Sequence, residues 1–243
     1  MKDPASSEDM IPDSSIGDTL YKKDFWSNEN LKYSRPHYRL EKSARIINRL
    51  ARDNECTLLD VGCGPAALMR LLHPNIQYYG IDIAIKDPAP NLIETDFLET
   101  PISFGDKRFD IIIAQGVFEY MGNFQAEKFS EIAALLNDDG LFVVSYVNFA
   151  HRDKKIYWPY SNVQAIDGFR QGLAHYFKIQ RFFPTSHNWH HLEPSRRLVK
   201  APNMYINVNV PFISRALAVE YFFICSSRYY SESRRKPGYR TTL

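Results

Sequence analysis

The chain has 243 residues, 44% of them apolar and 24% charged, and a formal net charge of +2. That length suits one large α/β domain with a sizeable core and is short for two. The near-neutral balance gives no reason to expect nucleic acid as the main partner, and no run approaches the ~18 apolar residues of a membrane span. Three cysteines (Cys56, Cys63, Cys225) without C-x-x-C spacing suit a reducing compartment. With a polar N-terminal stretch, the expected location is the cytoplasm. Residues 1–20, rich in Ser, Asp and Pro, read as a disordered tail. An arm over 21–36 follows, where Tyr21, Phe25, Trp26 and Tyr33 are too apolar to stay in solvent. It packs on the domain either as a strap over the core or as a lid. From Tyr38 to Arg52 the apolar residues Leu40, Ala44, Ile47 and Ala51 fall on one helical face.

Leu58-Leu59-Asp60-Val61-Gly62-Cys63-Gly64-Pro65-Ala66 comes next. The apolar run reads as a buried strand, the glycines as a tight bend, and Pro65 as a residue suited to a first helical turn. Such a bend lets a ligand lie against bare backbone, with following N–H groups favouring an anionic group. Asp60-x-Gly62-x-Gly64 with Ala66 resembles the glycine motif of class I S-adenosylmethionine-dependent methyltransferases. Gly62, Gly64 and Ala67 also satisfy the nicotinamide dinucleotide pattern G-x-G-x-x-A. Asp60 before the first glycine, and a helix ahead of the first strand, speak against that alternative. A short helix with Ala67, Leu68, Leu71 and Leu72 is expected after the bend.

Strand two, Tyr78–Ile83, contains Asp82, 22 residues beyond Asp60. This is the interval at which nucleoside-binding folds place an acid on ribose hydroxyls. The run Leu92–Phe97 reads as strand three, ending in Asp96. Strand four is Phe109–Ala114, and the loop Gln115–Tyr120 follows it. With strand order 3-2-1-4-5, the topological switch lies between strands one and four, so their loops face each other across a crevice. The resemblance implies a Rossmann-like doubly wound α/β sheet of seven strands, mostly parallel with an antiparallel last strand. It implies S-adenosyl-L-methionine as cofactor, S-adenosyl-L-homocysteine as product, and a donor site of Asp60, Gly62, Cys63, Gly64, Pro65, Asp82, Ile83, Asp96, Phe97, Gln115 and Gly116. In it Asp82 holds the ribose, Asp96 meets the adenine amino group, and Phe97 packs on the ring. The run Gly116–Gly122 also resembles the G-x-F-E-H-V-G segment of cyclopropane fatty-acid synthases, with Tyr120 in the histidine's place.

A helix over Phe124–Asn137 is expected to stop at Asp138-Asp139-Gly140, with Gly140 as a left-handed cap. Strand five, Leu141–Val147, leads to Asn148 and His151. A helix through Ile166, Phe169, Leu173 and Phe177 precedes strands Phe177–Phe183 and Leu217–Cys225. The connection 184–216 is long, and in the resembling fold it covers the active-site mouth, so it reads as a substrate-recognition insert. Its His187-Asn188-Trp189-His190-His191 cluster matches no established metal spacing, and no metal site is assigned. The methyltransferase domain thus spans 21–227, and 228–243 form a basic tail.

A sulfonium donor is already electrophilic, so alignment with the acceptor is the main task, and a base serves only an acceptor that arrives protonated. The candidates for acceptor contact or proton transfer are Tyr120, His151 and His187, with Glu119 behind them. The expected reaction is methyl transfer to a small-molecule acceptor, at oxygen, with nitrogen and carbon open. Tyr157, Trp158, Tyr160 and Trp189 favour a ring-bearing or partly apolar acceptor. A non-catalytic donor-binding protein and a nicotinamide oxidoreductase are the rivals. Oligomeric state is not legible.

Overall fold

The computed structural model describes residues 38–148, 165–187 and 218–227. The tail 1–20, the arm 21–36, His151, the aromatics 157–160, most of the insert and the basic tail lie outside the described residues. Seven strands form one sheet: β1 (Cys56–Val61), β2 (Ile76–Asp82), β3 (Leu92–Glu94), β4 (Phe109–Ala114), β5 (Leu136–Val147), β6 (Phe177–His187) and β7 (Ala218–Ser227). Their order is β3-β2-β1-β4-β5-β7-β6. The first five pair in parallel, while β7 runs antiparallel to both of its neighbours. The expected seven-stranded, mostly parallel sheet is the one observed.

Neighbouring residues along each central strand feed opposite faces, as a sheet covered on both sides requires. Leu58, Ile111, Ile113 and Val143 pack with Ala44, Ile47 and Ala51 of α1 (Tyr38–Ala51). Leu59, Ile112, Phe142 and Val144 pack with Phe129 and Ile132 of α2 (Gln125–Leu135) and with Phe169 and Leu173 of α3 (Ile166–Tyr176). Aromatic rings dominate this second layer, where Phe118 stacks on Phe129 at 4.6 Å and Tyr146 on Phe169 at 3.9 Å.

Several local expectations are corrected. The segment after the glycine bend is a five-residue 3-10 helix, Ala67–Leu71, not an α-helix, and Pro65 lies in the turn before it. Ala66 precedes it in the left-handed region, φ 51°. Strand two starts earlier and ends at Asp82, leaving Ile83 beyond it, and strand three is only Leu92–Glu94. Helix α2 stops at Leu135, and Gly140 lies inside β5 rather than in a left-handed cap. A Cβ on Gly140 would stand 2.9 Å from the carbonyl oxygens of both Asn137 and Phe109. Close backbone approach at the irregular start of the β4–β5 pairing therefore explains this glycine. Pro184–His187 continue β6, so the connection to β7 covers 188–217.

The topology fixes where that connection is anchored. Val147 at the end of β5 pairs with Glu220 near the start of β7, and His187 at the end of β6 pairs with Ala218. Both anchors stand on the edge where β1 and β4 end. Asn148 Nδ2 donates to the Ala218 carbonyl at 2.9 Å and ties this edge together.

Candidate active site

Strand β1 lies between β2 and β4, so the chain leaves it in one direction and returns on its other side. A crevice opens at such a switch point, outside the carboxyl ends of the strands. Val61 and Ala114, the last residues of β1 and β4, are register partners. Gly62 and Gln115 follow them directly.

The bend after β1 is held almost entirely by the protein itself. Gly62 (φ 74°) and Cys63 both donate their N–H groups to the Ile81 carbonyl, at 2.9 and 3.0 Å. Gly64 N–H donates to Asp82 Oδ2 at 2.7 Å, and Ala66 N–H to the Cys63 carbonyl at 3.0 Å. These four N–H groups are thus engaged within the protein. A five-residue 3-10 helix also has little dipole to offer. What the bend does provide is bare backbone. A Cβ on Gly62 would collide with Val117 Cγ2, so the β1 and β4 loops touch.

Two carboxylates stand beneath the bend. Asp82 is buried, and its Oδ1 accepts the Ala84 N–H at 3.0 Å while Oδ2 holds Gly64. Asp60 is buried on the α1 side and accepts from Tyr78 Oη at 2.7 Å. Burial pushes the Asp60 carboxyl up to about 7, with the Tyr78 hydrogen bond opposing and the Asp82 charge adding to the rise. Cys63 packs its sulfur where a Cβ of Gly80 would sit, 2.8 Å away. Burial, then Asp60 and Asp82, push its thiol far above the ordinary range, so it is a packing group rather than a nucleophile. Ile83 is half-buried just past β2.

Two residues beyond β3, Asp96 Oδ1 accepts the Leu98 N–H at 2.9 Å. Phe97 packs against the apolar layer shared with α2 and α3. On the β4 side, Gln115 Oε1 accepts from Ser43 Oγ of α1 at 2.6 Å, and Gly116 N–H (φ 69°) donates to Ser145 Oγ at 3.0 Å. Arg39 Nη2 lies 3.2 Å from where a Gly116 Cβ would be, and forms an ion pair with Glu220 Oε1 at 2.8 Å.

The acceptor candidates fare differently. Glu119 is 1% exposed in a 3-10 turn (Phe118–Tyr120), and its Oε1 accepts the Val147 N–H at 3.1 Å. It pins the β4 loop to the end of β5. Tyr120, at the end of that turn, is half-buried. His187 is the last residue of β6, and His151 lies outside the described residues. Among the described residues no group of three or more His, Cys, Asp or Glu could hold a metal ion, and no helix is long and apolar enough to cross a membrane.

Ser43, Arg39, Tyr78, Ser145 and Glu220 were not expected at this edge. Two left a trace in the sequence: Ser43 interrupts the apolar face of its helix, and Glu220 is the one charge in an apolar strand.

Comparison with known proteins agrees with this architecture. The family profile described as "Methyltransferase domain" matches residues 35–183. No curated protein sequence matches significantly. A SAM-dependent methyltransferase from Archaeoglobus fulgidus superposes with a TM-score of 0.55 at 16% identity, covering 76% of this chain and 92% of that one. A methyltransferase of Haloferax volcanii, solved in complex with the Trm112 activator, gives 0.59 at 16% identity, over 85% and 97%. The N-methyltransferase NodS of Bradyrhizobium japonicum, in complex with S-adenosyl-L-homocysteine, gives 0.53 at 12% identity, over 84% and 98%. At these identities the solved structures speak for the fold, and the family match speaks for the lineage: the chain belongs to the methyltransferase domain family and is a class I S-adenosylmethionine-dependent methyltransferase.

Proposed function

We propose that the crevice between the β1 and β4 loops binds S-adenosyl-L-methionine and that the chain moves its methyl group to a small-molecule acceptor, at oxygen, by in-line displacement. The observation that carries this is the bare glycine bend fastened to Asp82, the acid one strand over. A carboxylate accepts about four hydrogen bonds, so holding Gly64 and Ala84 is compatible with a role toward ribose hydroxyls. The donor supplies an activated methyl group on a positively charged sulfur.

The chain's residues bind and orient. Asp82 grips the sugar, Asp96 and Phe97 face the base, and the bend with Gln115 and Gly116 takes the amino-acid end. Alignment of this kind is worth roughly 7–11 kcal/mol. Tyr120 orients the acceptor, since an ordinary phenol with a pKa of about 10 is a poor base at neutral pH. His151 or His187 takes a proton where the acceptor arrives with one. The aromatics Tyr157, Trp158, Tyr160 and Trp189 suit a ring-bearing acceptor. Three free, buried thiols favour a reducing, cytoplasmic setting.

Calorimetry of the full chain with S-adenosylmethionine, S-adenosylhomocysteine and NAD(H) tests the donor site. Binding of the first two and silence from the third are expected. Transfer of a labelled methyl group into a metabolite extract, followed by identification of the product, tests the acceptor class. Label in protein or nucleic acid alone would overturn the small-molecule assignment.

A further inference from the structure

Ser43 is fully buried on the face of α1 that also carries Ala44 and Ile47. A hydroxyl in such a place needs a partner. Its partner is the side-chain carbonyl of Gln115, 2.6 Å away. Holding Oε1 against α1 fixes the plane of the amide, and with it the direction of both N–H groups on Nε2. That nitrogen is enclosed and meets no acceptor among the described residues.

Gln115 directly follows Ala114, whose partner Val61 directly precedes Gly62. The unpartnered donor thus belongs to a residue flanking the same crevice as the glycine bend. Within the bend, the N–H groups of Gly62, Cys63, Gly64 and Ala66 are bonded inside the protein, and Pro65 has none. With these N–H groups engaged, a donor from a neighbouring element strengthens the hold on an anionic group lodged against this bend. We infer that Gln115 Nε2 donates to the carboxylate at the amino-acid end of the methyl donor, and that Ser43 is the positioning residue that keeps the amide turned that way. This rests on reading the crevice as the donor site. It adds a residue of α1, outside every glycine-motif element, to the machinery that recognises the donor.

The test is calorimetry on the full chain with two ligands. S-adenosylhomocysteine carries the amino-acid end, whereas 5′-methylthioadenosine keeps the nucleoside and thioether but lacks it. Ser43→Ala should weaken S-adenosylhomocysteine about tenfold, the scale of one charge-assisted hydrogen bond, and leave methylthioadenosine within about twofold. Ser43→Thr, which keeps the hydroxyl, should restore the affinity. Gln115→Met removes the donor while leaving α1 intact; it should give the same split, and it answers the question if Ser43→Ala fails to fold. Equal losses for both ligands, or no loss for either, overturn the inference. A wild-type chain that binds neither ligand overturns the donor-site reading along with it. A wild-type chain that binds both, with S-adenosylhomocysteine affinity unchanged in both variants, overturns the inference alone.

Discussion

Gly64 donates its backbone N–H to the Asp82 carboxylate across 2.7 Å, so the acid at the end of β2 also fastens the bend at the end of β1. One side chain therefore shapes the pocket floor and, in the proposed function, grips the ligand's sugar. Asp82→Ala should lower S-adenosylhomocysteine affinity about a hundredfold, from two charge-assisted bonds of roughly 1.5 kcal/mol each. It should also lower stability, because the Gly64 and Ala84 N–H groups lose their acceptor. Calorimetry with thermal melting separates the two losses. Unchanged affinity in a folded variant would remove Asp82 from the ribose.

Gly62 supports a prediction free of any assumption about the ligand. Its φ of 74° disfavours a side chain, and a Cβ there would strike Val117. Gly62→Ala should cost about 1–2 kcal/mol in backbone strain and about 1–3 kcal/mol in overpacking. Adding Val117→Ala should return the packing share and leave the strain. Chemical denaturation of the wild type, both single variants and the double variant measures both shares, because Val117→Ala has a truncation cost of its own. A double variant as stable as Val117→Ala alone would mean that the left-handed backbone is not strained.

The sequence made some of this plain for physical reasons. Strand β4 is apolar apart from Asp110 and α1 is periodic, so burial wrote both elements nearly to the residue. Gly140 shows the opposite case. After Asp138 and Asp139 it has the local signature of a helix cap, yet a distant carbonyl, that of Phe109, leaves no room for a Cβ. Pairing between strands outweighed the local signal. The site divides in the same way. Asp60, Asp82 and the glycines stand at family spacing, whereas the partnership of Ser43 with Gln115 joins residues 72 positions apart and has no local pattern. Glu119 reads from the sequence as a residue near the acceptor because it follows β4, whereas its carboxylate's bond to the Val147 N–H shows only in the packed structure.

The Arg39–Glu220 pair links α1 to β7 across the Gly116 loop. Glu220 is buried and Arg39 partly so. Removing Arg39 takes a bonded cation from the buried Glu220. Because Arg39 is partly exposed and Lys42 also acts on Glu220, the cost falls below the ~3–5 kcal/mol of a fully buried pair. Arg39→Met alone should therefore destabilise more than Arg39→Met combined with Glu220→Gln. A double-mutant cycle by urea denaturation should return a coupling of about 1–3 kcal/mol. A coupling near zero would mean that the pair does not hold α1 to β7.

Asp60 gives the chain a pH dependence of definite sign. Burial raises its carboxyl to about 7 in the folded state, while an unfolded aspartate titrates near 3.9. Between those values the folded chain binds more protons than the unfolded one, so this residue's contribution to stability falls as pH rises. The fall starts near pH 4, has a limiting slope of about 1.4 kcal/mol per pH unit, and levels off above about pH 7. The Tyr78 hydroxyl stays protonated throughout, because burial and the neighbouring Asp60 charge push its own pKa well up, and it keeps donating to Asp60. Asp60→Asn retains an acceptor for that hydroxyl and removes the titration. The variant should therefore be more stable than the wild type at pH 8 and gain nothing at pH 4. Denaturant midpoints across that range measure the difference, and parallel profiles would show that Asp60 ionises in the folded chain as easily as in water.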